Sequence, residues 1–360
     1  MVYNEIRAPK REVKIGRVTI GGGHKIAIQS MTNTKTEDRE ATLRQVLALE
    51  RAGCDIIRVS VPSTEAVLTI GYLKEKGIRT PVVADIHYDH RLAVLAAEQG
   101  TDKIRINPGN LGGEERLREV CRACRSRGIP IRVGVNSGSL ERQILKKHGA
   151  PTAGALCESA LLNIALLEKY DFSDIVISIK SSDVKTMIDA NLMLSEKCDY
   201  PLHLGVTEAG AGRIGLMKSA AGVGALLCSG VGDTIRISLT DDPLCEVSAA
   251  RELLTALGFE GQRGLNIISC PTCARTSIDL IELCRRFEAA ARREGLLDKP
   301  LNVALMGCAV NGPGEAREAD VGIAGGAGEA LLFKRGRIVG KIKDEDIIDR
   351  LINEIKDITK

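Results

Sequence analysis

Between residues 26 and 257 short apolar runs alternate with amphipathic segments eight times, and this rhythm limits the possible folds more than any other feature. The runs are "KIAIQSM", "DIIRVSV", "PVVADIH", "DKIRIN", "IPIRVGVN", "DIVISIK", "PLHLGV" and "DTIRISL". The segments between them, such as "EDREATLRQVLALERAG" and "STEAVLTIGYLKEKG", repeat apolar residues at helical spacing and often close on glycine. Eight strand–helix units is the closing number of a (β/α)8 TIM barrel. An open doubly wound sheet is the alternative, but no GxGxxG turn follows the first strand.

Side chains of a strand alternate between its two faces, so each run can be split by parity. Ile57 and Val59 oppose Arg58; Ile104 and Ile106 oppose Arg105 and Asn107; Ile131, Val133 and Val135 oppose Arg132 and Asn136. Ile175, Ile177 and Ile179 oppose Ser178 and Lys180, and Ile235 and Ile237 oppose Arg236 and Ser238. The aliphatic face belongs against the outer helices, which leaves the polar face for the barrel interior. Asp85 and His87, then His203, Thr207 and Glu208, join that interior by the same parity. Arg58, Arg105, Arg132, Lys180 and Arg236 therefore converge near the C-terminal mouth, with Asp85 too little to neutralise them. Guanidinium forks match phosphate oxygens, so the natural ligand is a small, highly charged phosphate ester. "GGGHK" at residues 21–25 reads as a hairpin turn before the first strand. The Gly- and Ala-rich run after the seventh strand reads equally as a phosphate loop or as close helix packing.

After "LTALGFEGQRG" the rhythm stops, which puts a domain boundary near residues 258–264 and gives domains 1–260 and 261–360. The second domain reads as a smaller α+β unit whose final helix, "KDEDIIDRLINEIKD", is solvated and amphipathic. Cys270 and Cys273, in "SCPTC", end one apolar strand there, and Cys308, in "LNVALMGC", ends the next. Zinc would need a fourth Cys or His, yet all five histidines lie at or before His203. A redox dithiol leaves Cys308 unexplained. Three thiolates suit a [4Fe–4S] cluster whose fourth iron takes another ligand, and Glu315 is near enough in sequence to supply an oxygen. The remaining cysteines of the 11 read as packing, and "CRAC" (Cys121 and Cys124), inside an Arg-rich helix, reads as a decoy. The opening "MVYNEIRAPKREVKIG" has no apolar core of a signal peptide, and no run reaches transmembrane length, so a cytoplasmic location with reduced thiols is expected. A net charge of +3 and 2% aromatic residues speak against a nucleic-acid partner. Two rival readings are a phosphate-binding aldolase with Lys180 as Schiff base, and a non-catalytic iron–sulfur sensor.

The motifs "IRVSVPS", "KIRINPGN", "IRVGVNSGSL", "HLGVTEAG", "SCPTCART" and "MGCAVNGPGEAREADVGIAGG" resemble those of the bacterial 4-hydroxy-3-methylbut-2-enyl diphosphate synthases, over nearly the whole chain. That resemblance implies a barrel plus a C-terminal [4Fe–4S] domain, with Cys270, Cys273, Cys308 and Glu315 as cluster ligands. It implies 2-C-methyl-D-erythritol 2,4-cyclodiphosphate as substrate, reduced to the 4-hydroxy-3-methylbut-2-enyl diphosphate on the methylerythritol phosphate route to isoprenoids. It also implies flavodoxin or ferredoxin as electron donor, and a homodimer in which one chain's cluster domain closes over its partner's barrel. The substrate-binding set is then Arg58, Asp85, Arg105, Asn107, Arg132, Asn136, Lys180, Arg236 and Ser238, with Asn311 beside Cys308. Glu208 and His203 are the candidate proton donors at the mouth, and Glu315 takes part in catalysis as the exchangeable ligand.

Overall fold

The computed structural model describes residue 7, residues 9–262 and residues 264–359; residue 263, within the expected boundary, lies outside them. The chain divides into two compact units, Met1–Glu260 and Gly261–Lys360. Among the described residues no helix is long and apolar enough to cross a membrane.

The first unit opens with an antiparallel hairpin of β1 (Val13–Ile15) and β2 (Val18–Ile20), turned at Gly16 with φ +54°. The segment 21–25 is thus not the hairpin's turn but its link to the barrel, a correction to the expectation from sequence. Eight parallel strands follow: β3 (Ala27–Met31), β4 (Ile56–Ser60), β5 (Val82–Asp85), β6 (Lys103–Ile106), β7 (Ile131–Asn136), β8 (Ile175–Lys180), β9 (His203–Leu204) and β10 (Thr234–Ile235). Their order is β8-β7-β6-β5-β4-β3-β10-β9, and a parallel bridge from Ile177 to Leu202 brings the two ends together into a barrel.

The parity split holds strand by strand. Ile57, Val59, Ile104, Ile106, Ile131, Val133, Ile175, Ile177, Ile179 and Ile235 all lie in the large core shared with the outer helices. On the opposite face, the strand starts contribute Ala27, Ile56, Val83 and Val176 to a separate small core with Val13, Ile15 and Ile20 of the hairpin. The hairpin therefore closes the N-terminal end of the barrel, the end that serves stability in this fold. The Gly- and Ala-rich run is the helix Gly212–Cys228, and a Cβ on Gly222 would meet Met187 Cε at 2.6 Å and Val206 Cγ2 at 2.9 Å. At Gly222 close packing explains the glycine.

The second unit is a five-stranded sheet in sequence order: β11 (Asn266–Ser269), β12 (Asn302–Met306), β13 (Val321–Gly325), β14 (Glu329–Lys334) and β15 (Arg337–Lys343). The first three are parallel and the rest antiparallel. The helices Leu280–Arg293 and Ile347–Ile358 share one core with the sheet, and the short helix Gly312–Glu318 packs through Ala316 into another. The last helix is not merely solvated. It buries Leu351, Ile352 and Ile355, each worth about 1.5–3 kcal/mol of burial.

Candidate functional site

Two groups of residues are candidates for the chemistry, one in each unit. In the barrel, pairing sets the inward cations side by side. Asp85 lies opposite Arg105, Arg105 opposite Arg132, and Asn136 opposite Lys180. Two glycines make room for them. A Cβ on Gly134 would meet Arg105 Nε at 2.5 Å, and one on Gly205 would meet Arg236 O at 2.6 Å and Lys180 Nζ at 3.0 Å.

Asp85 anchors one side of this group. Its Oδ1 accepts from Arg105 Nη1 at 3.1 Å, and its Oδ2 lies 3.8 Å from Arg58 Nε and 3.4 Å from His87 Nε2. Burial opposes its ionisation, but Arg58, the His87 hydrogen bond and Arg105 outweigh burial and hold the carboxyl well below its usual range. Asn136, in the amide orientation that satisfies both neighbours, accepts from Arg105 Nη2 at 3.2 Å. Arg132 donates through Nη1 to Ser178 Oγ at 3.2 Å, while its Nε and Nη2, and Arg105 Nε, are buried without a partner.

The electrostatics are one-sided. Burial and then the arginines around it push the Lys180 ammonium well below its usual range. Burial pushes Arg58 down to about 10 despite Asp85. Arg132 is pressed the same way by burial, Arg58 and Arg105. A guanidinium does not release its proton in a protein, so this pressure is met by a counter-charge instead. Buried, partnerless N–H groups on arginines inside a barrel are chemically suited to an anion.

Some residues of the cage were overlooked in the sequence. Lys103 has the parity of Arg105 and is fully buried, its Nζ 3.4 Å from Gln29 Oε1. Burial, Arg132 and Arg58 push it well below its usual range. Parity alone would have found it. Glu246, in the helix Pro243–Ala256, is a second buried carboxylate and pairs with Arg236 at 3.1 Å. It lies on a helix, so no strand pattern pointed to it. His87, which shares the parity of Asp85, is half exposed beside it, with Nε2 3.4 Å from Asp85 Oδ2.

Other expected residues sit differently. His203 is not at the mouth: it opens β9, fully buried, with Nδ1 2.7 Å from Thr234 Oγ1. Burial, then Arg132 and Lys180, keep it neutral, which leaves it unsuited to donate a proton there. Glu208 is exposed in the loop after β9, in the left-handed region at φ +52°, rare for a residue with a side chain. Asn107 is buried, but its oxygen caps a turn through Gly109 N at 3.1 Å. Ser238 is half buried just past β10. Asn311 lies beside Cys308, as expected, where it precedes the helix Gly312–Glu318 and lines the same cavity.

In that unit β11 and β12 pair in parallel, so Cys270 and Cys308 leave the same edge of the sheet. Cys270, Cys273, Cys308 and Glu315 all line one cavity of about 440 Å³, with Arg275 and Asn311. Gly307 N donates to Cys270 Sγ at 3.4 Å. The backbone N–H of Arg275, with help from Thr276, holds the Cys273 thiol below its usual value. Val310 N–H and then Asn311 N–H do the same for Cys308, against burial and the nearby Cys273. The contrast with the other cysteines is clear. Burial pushes Cys121 up to about 12 and Cys124 higher still, which makes "CRAC" an inert pair. Cys228 and Cys245 are exposed rather than packed, contrary to the expectation from sequence.

Among the described residues no three Cys, His, Asp or Glu side chains are gathered closely enough for a single metal ion. A cubane spreads its ligands over four corners, so three thiols and a carboxylate around one cavity, two of the thiols biased toward thiolate, fit a cluster better than zinc.

The chain is similar to known proteins along its length. Residues 10–251 match the GcpE TIM-barrel domain and residues 266–357 the GcpE protein C-terminal domain. It is 54% identical over 350 residues to the 4-hydroxy-3-methylbut-2-en-1-yl diphosphate synthase (flavodoxin) of Caldicellulosiruptor saccharolyticus, covering 97% of this chain and 99% of that one. It is 53% identical over 356 residues to the protein of the same name from Caldanaerobacter subterraneus subsp. tengcongensis, covering 99% of each. With both units matched and two relatives aligned almost end to end, this chain belongs to the GcpE family.

Proposed function

We propose that this chain catalyses the reductive ring opening of 2-C-methyl-D-erythritol 2,4-cyclodiphosphate to (E)-4-hydroxy-3-methylbut-2-enyl diphosphate, an isoprenoid precursor. The observation that carries the reading is the pairing, in one chain, of a buried cation cage with a three-cysteine cavity. A cyclic diphosphate answers the first and an electron carrier the second. Cys270, Cys273, Cys308 and Glu315 would hold a [4Fe–4S] cluster, which when bound supplies two electrons one at a time.

The residues of the chain do the rest. Arg58, Arg105, Arg132, Lys180 and Arg236 grip the diphosphate, with Asn136 and Ser238 beside them. When the C2–O bond to phosphate breaks, a bridging oxygen becomes a terminal one and gains charge. Donors already fixed around it stabilise that charge without reorganising. Asp85 holds Arg58 and Arg105 in place for this. The C3 hydroxyl leaves as water and needs a proton, for which Glu208, exposed in the loop after β9, is the proposed donor. Flavodoxin is the proposed electron donor, the one in the relatives' names. The active unit is proposed to be a cytoplasmic homodimer with composite sites, each made of one chain's barrel and its partner's cysteine unit.

The test is an anaerobic assay of iron- and sulfide-reconstituted protein with the cyclodiphosphate and a chemical reductant. Formation of the linear diphosphate is expected. A brown, fully reconstituted preparation that leaves the substrate unchanged would overturn the reading.

A further inference from the structure

Arg236 is held differently from the other cage cations. It follows β10 directly, and β10 runs parallel beside β3, with Thr234 opposite Ala27 and Ile235 opposite Ile28. The helix Pro243–Ala256 starts beside them, with Asp242 accepting from Leu244 N at 2.9 Å and Pro243 at its first position. That start puts Glu246 in the first turn, 3% exposed, and turned toward both strand ends. Its Oε2 accepts from Ser30 Oγ at 2.8 Å and from Arg236 Nε at 3.2 Å. Its Oε1 accepts from Arg236 Nη2 at 3.1 Å and from Leu239 N at 3.2 Å. Four donors from three places therefore fix one carboxylate, and that carboxylate grips one edge of the guanidinium with both oxygens.

We infer that Glu246 is a positioning residue for the reaction: it clamps the Nε/Nη2 edge of Arg236 and leaves Nη1, 3.8 Å from Met31 Sδ, to meet the diphosphate. The inference rests on the anion-cage reading of the barrel. Without the clamp, Arg58 and the other cations would drive Arg236 off this orientation, since like charges in a low-dielectric interior repel strongly. Ser30 and Leu239 N hold Glu246 itself, so the hold on Arg236 runs from the backbone of the barrel to the ligand. Asp85 performs the matching task for Arg105 across the barrel, but from a strand rather than a helix.

The experiment is a double-mutant cycle on inorganic pyrophosphate binding, by calorimetry on the full-length reconstituted protein, with circular dichroism as the check on folding. Arg236→Met is expected to weaken pyrophosphate about tenfold or more, the scale of a charge-assisted hydrogen bond. Glu246→Gln should weaken it severalfold in the wild-type background and have no further effect in the Arg236→Met background. A residue that only supports the fold would weaken binding equally in both. Ser30→Ala, which removes one support of Glu246 and leaves its charge, should give a smaller loss with the same dependence on Arg236. It decides the matter if Glu246→Gln does not fold. In turnover, Glu246→Gln should raise KM for the cyclodiphosphate, and Glu246→Asp should recover part of the loss. If Arg236→Met weakens pyrophosphate but Glu246→Gln and Ser30→Ala do not, or if their effects persist without Arg236, the clamp is refuted and the cage stands. If Arg236→Met leaves binding unchanged, the cage reading fails and the clamp with it.

Discussion

Replacing Arg132 with methionine should move folding stability and ligand affinity in opposite directions. The side chain is 1% exposed and forms one hydrogen bond to Ser178, while Nε and Nη2 have no partner. In the ligand-free protein it is a desolvated charge among like charges. Exchanging such a group for an apolar one of similar length is commonly neutral or stabilising, by about 1–4 kcal/mol. In the complex, Nε and Nη2 are the free donors, and each charge-assisted bond is worth about 1.5–3 kcal/mol. Relief of repulsion in the variant offsets part of that loss, so a net cost of about 2–3 kcal/mol is expected, or roughly 30- to 150-fold in affinity. Urea unfolding followed by circular dichroism reads the first quantity, and calorimetry with the cyclodiphosphate reads the second. Arg132→Met that is less stable yet binds as tightly as the parent would refute the reasoning and make Arg132 a packing residue.

Asp85 gives a pH prediction. Its carboxyl is held below the usual range, so its contribution to stability is complete above the unfolded value of about 3.9 and fades as pH falls through the lowered native one. Asp85→Asn should remove that contribution and flatten the acid limb of a stability–pH curve; an unchanged limb would count against the ion-paired carboxylate. Cys308→Ser should lose most of the about four irons per chain that one cubane carries, whereas Cys121→Ser should retain them, read by iron and sulfide analysis after anaerobic reconstitution. Mixing a chain carrying Arg132→Met and Arg236→Met with a chain carrying Cys308→Ser should restore activity once subunit exchange is demonstrated. Silence after proven exchange would remove the composite site.

The sequence was most informative where one face of an element is uniformly buried. Each barrel strand shows its fold through alternation, because Ile57 or Ile177 must meet helices while Arg58 or Ser178 cannot. The cysteine site was legible for a different reason: thiols at two strand ends have few structural uses. What stayed hidden depends on contacts between elements. Glu246 reaches Arg236 from a helix, a meeting that no periodicity records. The neutral, buried state of His203 follows from its place at the start of β9, and parity gives a side chain's face but not its depth. The burial of the last helix was missed because its charged face dominates the local pattern, while Leu351, Ile352 and Ile355 form a stripe that only the sheet makes meaningful. Lys103 is the exception, since the parity that found Arg105 already included it.

The hairpin β1–β2 has a kinetic consequence. By filling the space under Ile56, Val83 and Val176 it turns the barrel into a cup with a sealed base. Molecules are then expected to reach the cations over the rim and to leave by the same way. Substrate and product both carry a diphosphate, so a lingering product obstructs the next arrival directly. Turnover in such a vessel is expected to show competitive inhibition by the linear diphosphate. Its ceiling would then be set by how readily the cations let go rather than by how firmly they hold.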